Sequence, residues 1–248
     1  MSIHIVEIFY KGFWAALDWL FPPVCAGCGE HGYRLCPECQ AKIRYITGNV
    51  CKVCGLPISS RRSLCVRCGD SPPPYDALRS LANYEGIIRD CIHALKYEND
   101  QSLGDFFADE LIALVLAERW LVDMVIPVPL SPFRIKTRGY NQSALLAYPI
   151  AMRLSLKYRP FGMRRTRNTR SQVELSAEGR RINVKGAFEA VPEIVGEKRV
   201  LLVDDVTTTG STIEECARAL RRAGASCIYC LTLARPVNPL YSSNMLHV

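Results

Sequence analysis

Apolar and polar residues follow two different periods along this chain. In "YEGIIRDCIHALKY" the positions Ile87, Ile88, Cys91, Ile92 and Leu95 recur at helical spacing, and "LGDFFADELIALVLAE" repeats the pattern, so both stretches predict amphipathic helices. "DMVIPVPL" predicts a short strand running into a proline-rich turn, and the helix that follows from about Asn141 must kink or end at Pro149. "RVLLVDD" and "CIYCLTLA" are predominantly apolar and predict buried strands. Between them "STIEECARALRRAG" predicts a helix capped by Ser211 or Thr212 and stopped at Gly224. Strand, helix and strand in this order predict an α/β fold, a parallel sheet flanked by helices with right-handed crossovers.

The start of the chain reads differently. "MSIHIVEIFYKGFWAALDWLFPP" is rich in apolar residues, but Glu7, Lys11 and Asp18 interrupt it before the roughly 20 uncharged residues a membrane span needs. It predicts an amphipathic docking helix, with attachment to a membrane surface the less favoured reading. It lacks the positive start, clean apolar stretch and small-residue cleavage site of a signal peptide, so the expected location is cytoplasmic. "DSPPPYD", Asp70 to Asp76, carries three consecutive prolines that continue neither a helix nor a central strand, and a domain boundary is expected there. The expected organisation is a helix over 1–22, a cysteine-rich unit over 23–72, an α/β domain over 76–237 and a tail over 238–248. A chain of 248 residues, 49% hydrophobic and 22% charged, has enough material for one good-sized core and a small appendage.

Eight of the twelve cysteines form four C-x2-C pairs: Cys25/Cys28, Cys36/Cys39, Cys51/Cys54 and Cys65/Cys68. Gly29 and Gly55 follow two of these pairs and let backbone amides turn toward sulfur. Four thiolates in tetrahedral arrangement suit structural zinc. Disulfides are disfavoured by a reducing compartment. Two local sites are the economical assignment, with interleaved pairing or a single occupied site left open and His31 a neighbour that could substitute at the first. Cys227 and Cys230 share the spacing, but in a strand residues three apart face opposite ways, so they should not chelate. Cys91 and Cys216 read as core residues.

Charge is unevenly spread. Arg134 to Lys185 holds 13 Lys/Arg and 2 Asp/Glu, although the whole chain is only +7. Such a concentration points to a polyanionic ligand, either phosphates on a small molecule or a nucleic-acid backbone.

The chemistry converges on "VLLVDDVTTTGST", Val200 to Thr212. In a parallel sheet ligands gather where strands end and helices begin, and free amides at a helix N-terminus hold phosphate. Thr207, Thr208, Thr209, Ser211 and Thr212 offer hydroxyls, and Gly210 permits close backbone approach. Without a lysine this is not the nucleoside-triphosphate loop. Carboxylates beside a phosphate require a hydroxyl-bearing part of the same ligand, which a ribose 5-phosphate supplies. Asp204 and Asp205 would accept from its 2- and 3-hydroxyls while the loop grips its phosphate. A response-regulator pocket, the competing reading, would place its acidic pair near the start of the domain.

The stretch resembles the type I phosphoribosyltransferase signature, a hydrophobic strand followed by D-D-V-x-T-T-G-x-T. From about Leu20 to Pro236 the chain resembles the ComF family, named for competence in DNA uptake, through "LFPPVCAGCG", the cysteine pairs, "LKYEND", "IPVPLSPFRIKTRGYNQS", "RTRNTRSQVELSAEGRRINVKGAF" and the phosphate loop. The resemblance implies a double zinc ribbon ahead of a phosphoribosyltransferase-like domain that takes 5-phosphoribosyl 1-diphosphate with Mg2+. It implies that "PLSPFRIKTRG" binds the diphosphate through Arg134, Lys136 and Arg138. It further implies that "RRTRNTRSQ" matches the loop that closes over the sugar, bringing Arg170 and Gln172 to the ligand. Displacing diphosphate from ribose C1 develops positive charge on the sugar and negative charge on the leaving group, and no residue stands out as a general base. Expected roles are phosphoribosyl transfer to an unidentified acceptor in DNA uptake or nucleotide salvage. The alternative is an inactive sensor or adaptor that binds single-stranded DNA or a DNA-uptake partner, with Tyr140, Tyr158 and Phe161 as stacking surfaces.

Overall fold

A computed structural model of the chain describes residues 22–58, 63–167, 179 and 183–237. The helix expected over 1–22, apart from its last residue, and the tail expected over 238–248 lie outside them. The described strands are β1 (Ala77–Asn83), β2 (Met124–Pro127), β3 (Lys157–Tyr158), β4 (Met163–Arg165), β5 (Phe188–Ala190), β6 (Arg199–Val206) and β7 (Cys227–Arg235). The described helices are α1 (Pro37–Ala41), α2 (Val66–Asp70), α3 (Gly86–Tyr97), α4 (Ser102–Phe106), α5 (Ala108–Ala117), α6 (Pro132–Arg138), α7 (Gln142–Arg153), α8 (Pro192–Val195) and α9 (Ser211–Arg222). Five strands form a parallel sheet in the order β1-β7-β6-β2-β3, and β4 pairs antiparallel with β5.

The unbroken apolar run of β6 follows from burial on both faces. Leu201 and Val203 join Leu231 in a core with α3, α4, α5 and α7. Val200 and Leu202 join Ile228 and Cys230 in a second core with Ile213, Cys216, Ala217 and Leu220 of α9. All four β6 residues are fully buried. Each such side chain contributes about 1.5–3 kcal/mol. Cys91 and Cys216 lie in these two cores, as expected.

Three local expectations need correction, and one is narrowed. Of the two outcomes expected at Pro149, a kink or an end, the helix does not end there but runs through the proline as α7. A proline inside a helix leaves the carbonyl four residues earlier without its usual donor, and here that carbonyl belongs to Leu145. Gly104 of α4 approaches it so closely that an added Cβ would lie 2.6 Å from the oxygen. Thus Pro149 and Gly104 together shape a tight crossing of α4 and α7. Secondly, the apolar stretch after Asn99 is two helices, α4 and α5, joined at Phe107. The expected proline-rich turn contains a third element, α6, begun by Pro132, capped by Ser131 Oγ on the Arg134 amide and closed by Gly139 at φ 84°. Finally, the cap of α9 is Gly210 at φ 83°, one residue before the expected Ser211.

β1 was not evident from the pattern because buried Arg79 and Ser80 interrupt it. Ser80 finds a hydroxyl partner in Thr232 at 2.6 Å, and Arg79 pairs with Glu118 at 2.6 and 2.8 Å. β1 is a sheet edge, and an open edge invites unwanted strand pairing. The cysteine-rich unit covers it: Ile46 N–H donates to Leu81 O, Asn83 N–H to Arg44 O and Leu78 N–H to Val53 O. Arg79 and Arg235, both buried, also donate to carbonyls of that unit, Arg79 to Lys52 and Arg235 to Cys54. On its other side Cys25, Leu35, Cys36, Cys39 and Ile43 share a core with α3.

Candidate functional site

The cysteines assemble into two local tetrads, Cys25/Cys28/Cys36/Cys39 and Cys51/Cys54/Cys65/Cys68, each with its sulfurs within 4.8 Å of one another. Interleaved pairing is thereby removed. Cys28 and Cys36 sulfurs are 3.7 Å apart and Cys54 and Cys65 sulfurs 3.6 Å. A zinc–sulfur bond of about 2.3 Å gives a tetrahedral edge of about 3.8 Å, so the donors fit zinc. Backbone amides of Gly27 and Cys36 point at Cys25 Sγ, and the amide of Cys65 at Cys51 Sγ. Burial pushes the Cys25 and Cys51 thiols up, but these amides outweigh it and bring both down to about 6. His31 is exposed and pairs with Val24 only through backbone.

The second site lies at the carboxyl ends of β2 and β6, where an open cleft is lined by residues from four directions. Asp204 and Asp205 end β6 and are buried. Thr208 and Thr212 come from the following loop and α9, Arg134 and Arg138 from α6, and Lys96 and Tyr97 from α3. Arg165 of β4 completes the wall, its guanidinium 5.2 Å from the Phe188 ring.

Every residue of "RGYNQS" holds this arrangement. Gly139 ends α6, and Tyr140 Oη donates to Leu95 O at 2.7 Å, tying the turn to α3. Asn141 caps α7 through the Ser143 amide and donates to Val128 O at the end of β2. Arg138 donates to Gln142, whose amide donates to Asp205 Oδ1 at 3.2 Å. Ser143 Oγ donates to Asp204 Oδ1 at 2.7 Å, and the Asp205 amide donates to the same oxygen at 3.0 Å. Lys96 Nζ forms an ion pair with Asp205 Oδ2.

These contacts separate two adjacent acids. Burial and then the neighbouring Asp205 push the Asp204 carboxyl up to about 8. Burial would raise Asp205 as well, but the Lys96 ammonium and the hydrogen bonds from Lys96 and Gln142 bring it below its ordinary value. Lys96 is held above its usual value because Asp205 outweighs its burial. The two acids are thus pushed in opposite directions, with Asp205 the more readily ionised of the pair and Lys96 its counter-charge.

The loop after the acids is ordered from within. The Thr207 amide donates to Ala234 O, Thr209 Oγ1 lies 2.8 Å from Ser211 Oγ, and Gly210 begins α9 in the left-handed region that favours glycine. First-turn amides of a helix have no intrahelical partner and favour an anion.

Of the residues singled out in the sequence, Asp204, Asp205, Thr208, Thr212, Arg134 and Arg138 converge on the cleft, and Thr207, Thr209, Gly210 and Ser211 form its loop. Lys136 is exposed on α6 and is not among the lining residues. Arg170 and Gln172 lie outside the described residues. Sequence reasoning missed Lys96, Gln142, Ser143 and Arg165, though all four sat in stretches already quoted for the resemblance, "LKYEND", "IPVPLSPFRIKTRGYNQS" and "RTRNTRSQVELSAEGRRINVKGAF". The basic window is not one uniform patch: Arg153 pairs with Asp105 and Asp109 and Arg164 with Glu189, while Arg134, Arg138 and Arg165 face the cleft. Among the aromatics considered for stacking, Tyr140 is tied to α3 and Tyr158 packs edge-on against Tyr148, whereas Phe161 is exposed.

A parallel sheet with an acidic pair and a glycine-begun helix at its carboxyl edge, joined to two cysteine tetrads, defines a phosphoribosyltransferase-type fold carrying zinc ribbons. A double zinc ribbon domain matches residues 16–69 and a phosphoribosyl transferase domain residues 141–242. The chain is 34% identical to the DNA utilization protein YhgH of Escherichia coli K12, over 82% of this chain and 91% of that one. It is 33% identical to competence protein F of Haemophilus influenzae, over 81% and 90%, and 26% identical to competence protein ComFC of Bacillus subtilis, over 82% and 84%. The chain belongs to the ComF family. No helix among its described residues is long and apolar enough to cross a membrane.

Proposed function

We propose that the cleft binds 5-phosphoribosyl 1-diphosphate with Mg2+ and transfers its phosphoribosyl group to an acceptor. One observation carries this reading: a buried acidic pair, with Lys96 ion-paired to Asp205, stands directly before a glycine-begun helix N-terminus and faces Arg134 and Arg138. The 5-phosphate sits on Thr207, Thr208, Thr209, Gly210, Ser211 and Thr212. Ribose hydroxyls donate to Asp204 and Asp205, and the diphosphate lies toward Arg134 and Arg138, with Lys136 adding positive potential from outside. By the resemblance Arg170 and Gln172, outside the described residues, would add contacts to the ligand.

Transfer breaks the bond from ribose C1 to the diphosphate oxygen, and the bonding pair leaves with the diphosphate. The acceptor supplies the new pair at C1. Asp205 stabilises the positive charge that develops on the sugar, and the arginines stabilise the departing oxyanion. Mg2+ would be held with the diphosphate on the side of the cleft carrying Asp204 and Asp205, and would neutralise charge on the leaving group. The chain orients both reacting parts, and no general base stands out among the residues singled out in the sequence. Relatives named for DNA utilization and competence support a role in DNA uptake or in salvage of its nucleotides.

Calorimetric titration with 5-phosphoribosyl 1-diphosphate and Mg2+ tests the site. The parent is expected to bind and the Asp204→Ala, Asp205→Ala double variant to lose most affinity. Binding that survives both substitutions contradicts the assignment. Pyrophosphate release across a panel of nucleobases tests transfer, and binding without release under every acceptor leaves a ligand sensor in its place.

A further inference from the structure

We infer that the second zinc ribbon is part of the phosphate site, with Arg67 as a positioning residue that neutralises Glu214 beneath the phosphate loop. The inference rests on the phosphoribosyl reading of that loop. α2 carries Arg67 between two ligands of the second tetrad, Cys65 and Cys68, so the ribbon's fold sets where its side chain points. The guanidinium forms an ion pair with Glu214 Oε1 and approaches the Thr209 carbonyl to 3.5 Å. Glu214 stands in the first turn of α9 with its side chain 9% exposed. It abuts the loop itself, since a Cβ added to Gly210 would lie 3.4 Å from Glu214 Oε1.

A carboxylate in the first turn of a helix suits the helix dipole. It is adverse to a phosphate dianion, which needs the same positive end. Glu214 is therefore an acid in an unfavourable place unless its charge is matched. Arg218, one turn later, reaches its other oxygen only at 3.4 Å. Arg67 supplies the closer match from another unit of the chain. An uncompensated unit charge about 10 Å from a phosphate changes affinity somewhat more than tenfold per unit of phosphate charge at an effective dielectric near 20. Because Arg67 is 57% exposed, solvent screening lowers the expected effect to roughly five- to tenfold. For the same reason stability should barely move, and that separates positioning from a merely structural contact.

The experiment uses the full zinc-loaded chain and titrates ribose 5-phosphate into the parent, Arg67→Gln, Glu214→Gln and the double variant, with zinc content measured on each. Arg67→Gln is expected to weaken binding roughly five- to tenfold at unchanged zinc content, and the double variant to recover to within about twofold of the parent. Parent-like binding by Arg67→Gln, or a double variant as weak as Arg67→Gln, overturns the coupling alone. If Arg67→Gln loses zinc, Glu214→Gln decides: it acts from α9, should bind at least as tightly as the parent, and weaker binding overturns the inference. A parent that takes up no sugar phosphate contradicts the phosphoribosyl reading itself, and the coupling falls with it.

Discussion

Lys96→Met removes the ammonium that balances Asp205 while keeping most of the side-chain volume. Lys96 and Asp205 are 20% and 5% exposed, so little solvent screens the pair. At an ion-pair contact of about 3 Å and an effective dielectric near 20 the attraction is about 5 kcal/mol. Removing one member of a buried pair costs about 3–5 kcal/mol. Protonating the orphaned Asp205 caps the loss, and at pH 7.5 that also costs about 5 kcal/mol against an ordinary carboxyl. The expected deficit at pH 7.5 is thus about 3–5 kcal/mol. The pH dependence fixes its origin. Asp205 is depressed in the folded state, so its contribution is present above the usual carboxyl value and is lost as pH falls through the folded value. Lys96 is raised, so its contribution is present below the usual ammonium value and is lost as pH rises through the folded value. Urea unfolding from pH 4 to 8.5 should show the deficit largest near pH 7–8.5 and shrinking toward pH 4, with Asp205→Asn restoring most of it in the Lys96→Met background. A variant within about 1 kcal/mol of the parent at pH 7.5, or a deficit independent of pH, refutes the charge balance.

Asp204 is raised in the folded protein, so between the ordinary carboxyl value and about 8 folding opposes its ionisation and stability falls with rising pH. Asp204→Asn should therefore be more stable than the parent by about 1–3 kcal/mol at pH 8, with the gain fading toward pH 4, and a less stable variant at pH 8 contradicts this. Gly104→Ala places a methyl against Leu145 O, where the gap is 2.6 Å, and should cost about 1–3 kcal/mol in urea unfolding; a neutral result would falsify the tight α4–α7 crossing. Elemental analysis of freshly purified protein should find about two zinc per chain, one from each tetrad, and Cys51→Ser should lower this toward one. Protein purified without zinc contradicts the ribbon assignment.

The inner sheet was legible because β6 and β7 are buried on both faces and their centres, residues 200–203 and 228–231, are apolar. β1 was not, because its arginine and serine are satisfied by Glu118, Thr232 and ribbon carbonyls that lie far away in sequence. The acidic pair and its loop stood out because they are contiguous. Lys96, Gln142 and Ser143 act on that pair from α3 and α7, and no local pattern marks a lysine whose partner is 109 residues away. Pro149 marked the helix without deciding between a kink and an end; that the helix continues is a matter of its tertiary setting, where Gly104 of another helix lies close against the Leu145 carbonyl.

The most direct test is a crystal structure of the chain with 5-phosphoribosyl 1-diphosphate and Mg2+. The 5-phosphate should lie over the N-terminus of α9, between Thr207 and Thr212, with the ribose hydroxyls on Asp204 and Asp205 and the diphosphate toward Arg134 and Arg138. A sugar phosphate bound anywhere else on the chain contradicts the site.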